Sequence, residues 1–113
     1  MQFLTPEELL GGSEIIFDVA IPPEVLEHST SSTNKERELV VQLRPLTIGA
    51  FGLIMKAAKS DPALIPLLMI KESLVQPSLS LEQVKSMNLG LVNFLIAEIR
   101  QISGLTEKKM SSS

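Results

Sequence analysis

The stretch ELVVQLRPLT, residues 38–47, contains the change of period that decides the fold. Up to Arg44 the apolar residues alternate, with Leu39, Val41 and Leu43 on one side, which is the pattern of a half-buried strand. Pro45 interrupts that pattern, and beyond it the spacing is helical to the end of the chain. Thr47 is placed as the N-cap of a helix reaching about Lys59, whose Ile48, Phe51, Met55 and Ala58 fall on one stripe. One chain of 113 residues holding both periods is an α+β domain, mainly α. The expected architecture is an N-terminal β-hairpin at about 13–44, then a bundle of about four helices over about 47–104. A single domain over 1–105 leaves a flexible polar tail at 106–113.

Upstream of this stretch, Thr5-Pro6-Glu7-Glu8 has the form of a helix start. Thr5 is the N-cap, Pro6 occupies the first turn, and Glu8 closes a capping box. Gly11-Gly12 ends that helix after about two turns. In IIFDVAI (15–21) the odd positions alternate with less apolar ones, giving a first strand that Pro22-Pro23 terminates. The polar run EHSTSSTNKE (27–36) reads as the long loop of the hairpin. Downstream, Asp61-Pro62 is a candidate cap and first-turn pair. Pro66 disfavours helical geometry at Ile65, so this helix is expected either to kink there or to begin at Pro66, running to about Val75. Ser80-Leu81-Glu82-Gln83 is a second capping box opening a short helix to about Met87. Asn88 caps a last helix, Leu89 to Ile102, that stops at Ser103-Gly104 with Gly104 as its C′ residue.

Composition narrows the function. The 10 basic and 13 acidic residues give a net charge of -3, and the basic ones are scattered rather than clustered. With no Trp, no Tyr and four Phe there is little to stack on bases, so nucleic acid is not an expected partner. The longest nearly uninterrupted apolar run, Leu64 to Ile70, is far short of the roughly 20 residues of a membrane span. The start MQFLTPEELLGG has neither a basic nor a long apolar segment, so a soluble chain that is not exported is the expectation. No cysteine is present, which removes disulfides and thiolate chemistry.

Candidate chemistry has simpler explanations at each point. His28, the one histidine, has Glu24 four residues before it, but no set of His and Cys ligands can complete a zinc site around the pair. Glu7, Glu8 and Glu14 cluster near a helix start, where acidic residues serve capping and the helix dipole. Gly49-Ala50-Phe51-Gly52 has neither phosphate-loop nor dinucleotide spacing, and a close helix crossing accounts for its two glycines. No nucleophile-base pair emerges. The expectation is a protein without catalytic activity, cofactor or metal.

What stands out is apolar excess. A mean hydropathy of +0.26 with 44% apolar residues is high for a small monomer. In the last helix Leu91, Val92, Leu95, Ile96, Ile99 and Ile102 cover nearly half the circumference. Phe94 and Leu89 widen that arc, leaving Asn93, Arg100 and Gln101 as the polar strip with Glu98 at its border. A helix packed on one layer needs a stripe of only about 100°. The run LIPLLMI (64–70) is apolar all round. Part of this excess is core, and the rest fits a docking groove or an oligomer contact with an adaptable Met lining. The residues singled out for partner contact are Phe51, Met55, Leu68, Met69, Leu91, Phe94 and Leu95.

From Leu39 to Leu105 the chain resembles the tail assembly chaperones of long-tailed bacteriophages and phage-like tails. The residues carrying the resemblance are the strand into Arg44-Pro45-Leu46-Thr47 with its helix, LMIKESLVQP (68–77), SLSLEQVKSM (78–87), and the long helix ending at Ser103-Gly104-Leu105. The resemblance implies a non-catalytic chaperone that coats the tape measure protein, recruits tail tube subunits and is absent from the finished particle. The alternatives are a small tail-completion or connector subunit retained in the particle, or an unrelated helical adaptor, and a homo-oligomer is compatible with each.

Overall fold

The computed structural model describes residues 1–11, 15–26 and 39–105. The loop expected over 27–36, His28, Glu14 and the tail expected over 106–113 lie outside the described residues. The described elements run α1 (Pro6–Leu10), β1 (Phe17–Ala20), α2 (Pro23–Leu26), β2 (Val40–Leu43), α3 (Ile48–Ala57), α4 (Leu64–Ser73), β3 (Leu74–Gln76), α5 (Leu81–Lys85) and α6 (Leu89–Ile102). The mixed, mainly helical class and the early hairpin are as the change of period required.

The strands pair antiparallel in the order β1-β2-β3. Phe17 faces Leu43 and Val19 faces Val41 across the first pair. Alternation along these strands sends Val19, Ile21, Leu43 and Leu74 into the core. Asp18, Ala20 and Val40 point to the solvent face, where Gln42 Nε2 donates to Asp18 Oδ1 at 3.1 Å. Helices therefore cover one face only.

The third strand departs from expectation. The expected helix runs to about Val75, since Leu74-Val75 fits either state locally, but residues 74–76 form β3. They pair instead with the remaining edge of β2, Leu43 opposite Leu74 and Gln42 opposite Gln76, with a register shift between. β-branched Val75, and Gln76 held away from helical geometry by the following Pro77, make a weak helix end, and pairing satisfies backbone groups that a frayed helix end leaves open. The start of α4 also differs from both expected forms. The helix begins at Leu64 without a side-chain cap, while Asp61 Oδ1 accepts from Ala63 N at 3.2 Å in the preceding turn. Pro66 is then the third helical residue, where an N–H has no intrahelical partner to lose.

Other boundaries follow their capping residues. Thr5 with Glu8 and Ser80 with Gln83 form complete capping boxes. Thr47 and Asn88 accept from the amides of Ala50 and Leu91. At the end of α6, Leu105 N donates to Arg100 O at 2.7 Å and Gly104 N to Gln101 O at 3.2 Å. This Schellman pairing needs the positive φ of 74° that Gly104 supplies.

α4 and α6 pack together at the centre, with Ile70, Leu95, Ile99, Leu43 and Val84 fully buried. The segment Arg44–Thr47 joins sheet to helices through a set of hydrogen bonds. Arg44 N donates to Ser73 O at 2.9 Å, Ser73 Oγ returns a bond of 2.6 Å to Arg44 O, and Arg44 Nε donates to Glu72 O at 3.1 Å. Leu46 N donates to Ser103 Oγ at 2.9 Å. The motif that carries the family resemblance is thus a structural joint.

Candidate protein-docking surface

The fold distributes the seven residues singled out for partner contact over three places. Met69 and Leu95 are 4% and 2% exposed and belong to the core, which corrects their assignment to a docking face. α4 and α6 are the central helices, so the side on which each was widest in apolar residues faces other elements of the same chain. Leu91 is half-buried and lines, with Ile21, Val41, Leu74 and Met87, an apolar recess of about 180 Å³ between the sheet and α6. Phe94 is half-buried against the core cluster. Phe51 and Met55 lie on α3, and Leu68 of α4 lines a recess beside it.

α3 is where the apolar excess reaches solvent. Its buried residue is Ile54, with Ala58 just past its end, and Phe51 is half-buried. This inward row at 51, 54 and 58 differs from the expected stripe, which placed Ile48 and Met55 beside Phe51 and Ala58. The actual rotation turns Ile48 outward to 90% exposure and Leu53 to 67%, with Met55 partly open beside them. A sequence window shows the width of an apolar arc but not which edge of it meets the core.

Shallow recesses flank the helix on both sides. One of about 230 Å³ lies between α3 and the end of α6, lined by Leu46, Ile48, Phe51 and Leu105. Another of about 210 Å³ is lined by Leu53, Ala57, Leu68 and Leu81. The close crossing expected at Gly49 and Gly52 is not made within the described residues. A Cβ added at Gly52 would meet nothing within 4 Å, and one at Gly49 would meet only Thr47 Oγ1 at 3.9 Å. The helix offers an apolar surface with two smooth points and no acidic side chain. Lys56 on its last turn and Lys59 beyond it supply its charge.

A second exposed apolar surface precedes the sheet. Phe3 is 91% exposed, Leu4 and Leu9 are similarly open, and α1 buries none of its residues. These residues, with Ile48 and Leu53, were not among those singled out for contact. A signal was present: five large apolar residues within the first ten, in and before a helix too short to bury them all against one layer.

Glu7 and Glu8 lie in the first turn of α1, where Glu8 Oε1 accepts from Thr5 N at 2.8 Å, so one of them has a structural task. Among the described residues no group of three His, Asp or Glu could hold a metal ion, and no described helix is long and apolar enough to cross a membrane. Comparison of the chain with family models, curated proteins and solved structures gave no match.

Proposed function

We propose that the protein is a tail assembly chaperone of the phage type. It holds apolar helical segments of the tape measure protein in the host cytoplasm, brings tail tube subunits to them, and performs no chemistry. The observation carrying this reading is α3, a two-and-a-half-turn apolar helix with one buried residue and with Ile48, Leu53 and Met55 open to solvent. A monomer without a helical client has no use for such a surface, which in water favours association. An amphipathic client helix laid against α3 covers the exposed row, and Gly49 and Gly52 allow its backbone to come near. The resemblance supplies the class of client, and the exposed row supports α3 as the face that takes it.

Co-expression with the long coiled-coil-rich protein encoded beside this gene tests the reading. The chaperone is expected to keep that protein soluble and to co-purify with it. Ile48→Asp with Leu53→Asp is expected to abolish both effects while leaving the circular dichroism unchanged. Equal solubility of the client with and without the chain, or full activity of the double variant, would overturn it.

A further inference from the structure

We propose that the α1 segment of one copy of this chain docks on the α3 face of a second copy, and that two copies exchange these segments reciprocally. Three observations carry it. Each surface is apolar and open in the same molecule: Phe3, Leu4 and Leu9 on one, Ile48 and Leu53 on the other. The described residues of a single chain leave both exposed, so association of a second copy would cover both at once.

Charge also matches. The α1 segment carries only acidic side chains, Glu7 and Glu8, and α3 carries only Lys56, with Lys59 following it. Around the face, Lys71 and Glu72 line the recess between α3 and α4 and Asp61 follows Lys59, so the surroundings of α3 hold three lysines to two acids. An acidic helix placed on a lysine-ended apolar face brings opposite charges to the rim of an apolar contact, which favours this pairing over α1 on α1 or α3 on α3.

The third observation is pre-organisation. The Thr5–Glu8 capping box sets α1 as a helix before it touches anything, so docking orders less chain than binding of an unstructured peptide would. Reciprocal exchange forms two identical contacts related by a two-fold axis. That doubling is how short elements reach the roughly 1,200–2,000 Å² of a stable interface.

The chain lacks cysteine, which allows a direct test. Full-length Leu4→Cys is mixed with full-length Leu53→Cys under mild oxidation, and Leu4→Cys with Lys85→Cys, on exposed α5, serves as the control. The expected result is a mixed disulfide between the first pair and little from the second. Sedimentation equilibrium provides an independent readout. Wild type is expected to dimerise, while Phe3→Asp with Leu4→Asp, or Ile48→Asp with Leu53→Asp, raises the dissociation constant about 30-fold or more. Mixing the two altered proteins restores one of the two contacts, so association weaker than that of the wild type is expected. A monomeric wild type at about 100 µM, a cross-link no stronger than the control, or altered proteins that dimerise as tightly as the wild type would each overturn the proposal. None of these readouts involves the client, so the result stands apart from the chaperone reading.

Discussion

At the scale of single residues, two polar side chains hold the joints between elements. Ser73 is fully buried at the end of α4 and its hydroxyl donates to Arg44 O at 2.6 Å. Ser73→Ala removes that donor and leaves a carbonyl facing a methyl group. A loss of about 1–3 kcal/mol in urea unfolding is expected, with little change in the slope. Asn88 performs two tasks with the two ends of one amide. Its Oδ1 accepts from Leu91 N at 2.7 Å and caps α6, and its Nδ2 donates to Val25 O at 3.0 Å and ties α2 to the bundle. Asn88→Asp keeps the cap but sets an anion against the Val25 carbonyl, whereas Asn88→Ala loses both bonds. The cap was legible in the sequence from position alone. The tie to α2 was not, because a contact across 63 residues leaves no local pattern. Asn88→Ala is expected to cost about 1–3 kcal/mol. Asn88→Asp should lower the protection of α2 amides in hydrogen exchange while sparing those of the first turn of α6.

Among the elements, those with sharp end signals were readable. Thr5, Thr47, Ser80, Asn88 and Gly104 each mark a boundary at which a backbone group needs a partner, and each supplies it. Elements defined by their neighbours were not. β3 exists because β2 has a second edge, and nothing in residues 74–76 announces that pairing. The docking surface shows the same division. The sequence exposed an apolar excess, and Phe51, Met55 and Leu68 do lie on or beside α3. Met69 and Leu95 went to the core because α4 and α6 are central, a fact of packing rather than of pattern. The two glycines of α3 give this scale its prediction. Gly52→Ala adds a Cβ into open space on an exposed helix, so it should stabilise the chain by about 0.5–1 kcal/mol. If a client helix crosses there, the same methyl group holds the backbones apart. The expected pattern is a higher thermal midpoint together with a several-fold loss of client binding by titration calorimetry. Unchanged client affinity would move the crossing away from Gly52.

For the whole molecule, the decisive fact is where the surplus apolar surface lies. The sheet, α4 and α6 bury most of theirs against one another, with Val40 and Leu89 left open, and among the described residues most of the large open side chains lie on the α1 segment and α3. If α1 of a second copy and a client helix compete for α3, self-association and client binding are linked by mass action. Raising the protein concentration would then fill α3 with α1 and lower the apparent client affinity, since only copies with an open face bind. Measured with a fixed, labelled client helix, the wild-type apparent dissociation constant should therefore rise once the chain exceeds its own dimerisation constant. With Phe3→Asp and Leu4→Asp it should be tighter and independent of that concentration. The linkage also has a use. A chaperone that covers its apolar face with its own chain stays in solution when no client is present, and gives up that cover only to a helix that binds α3 better than α1 does. A wild-type affinity that stays constant across that range would mean that client and α1 occupy different surfaces, and the apolar recess between the sheet and α6, lined by Leu91 and Met87, would become the face to alter.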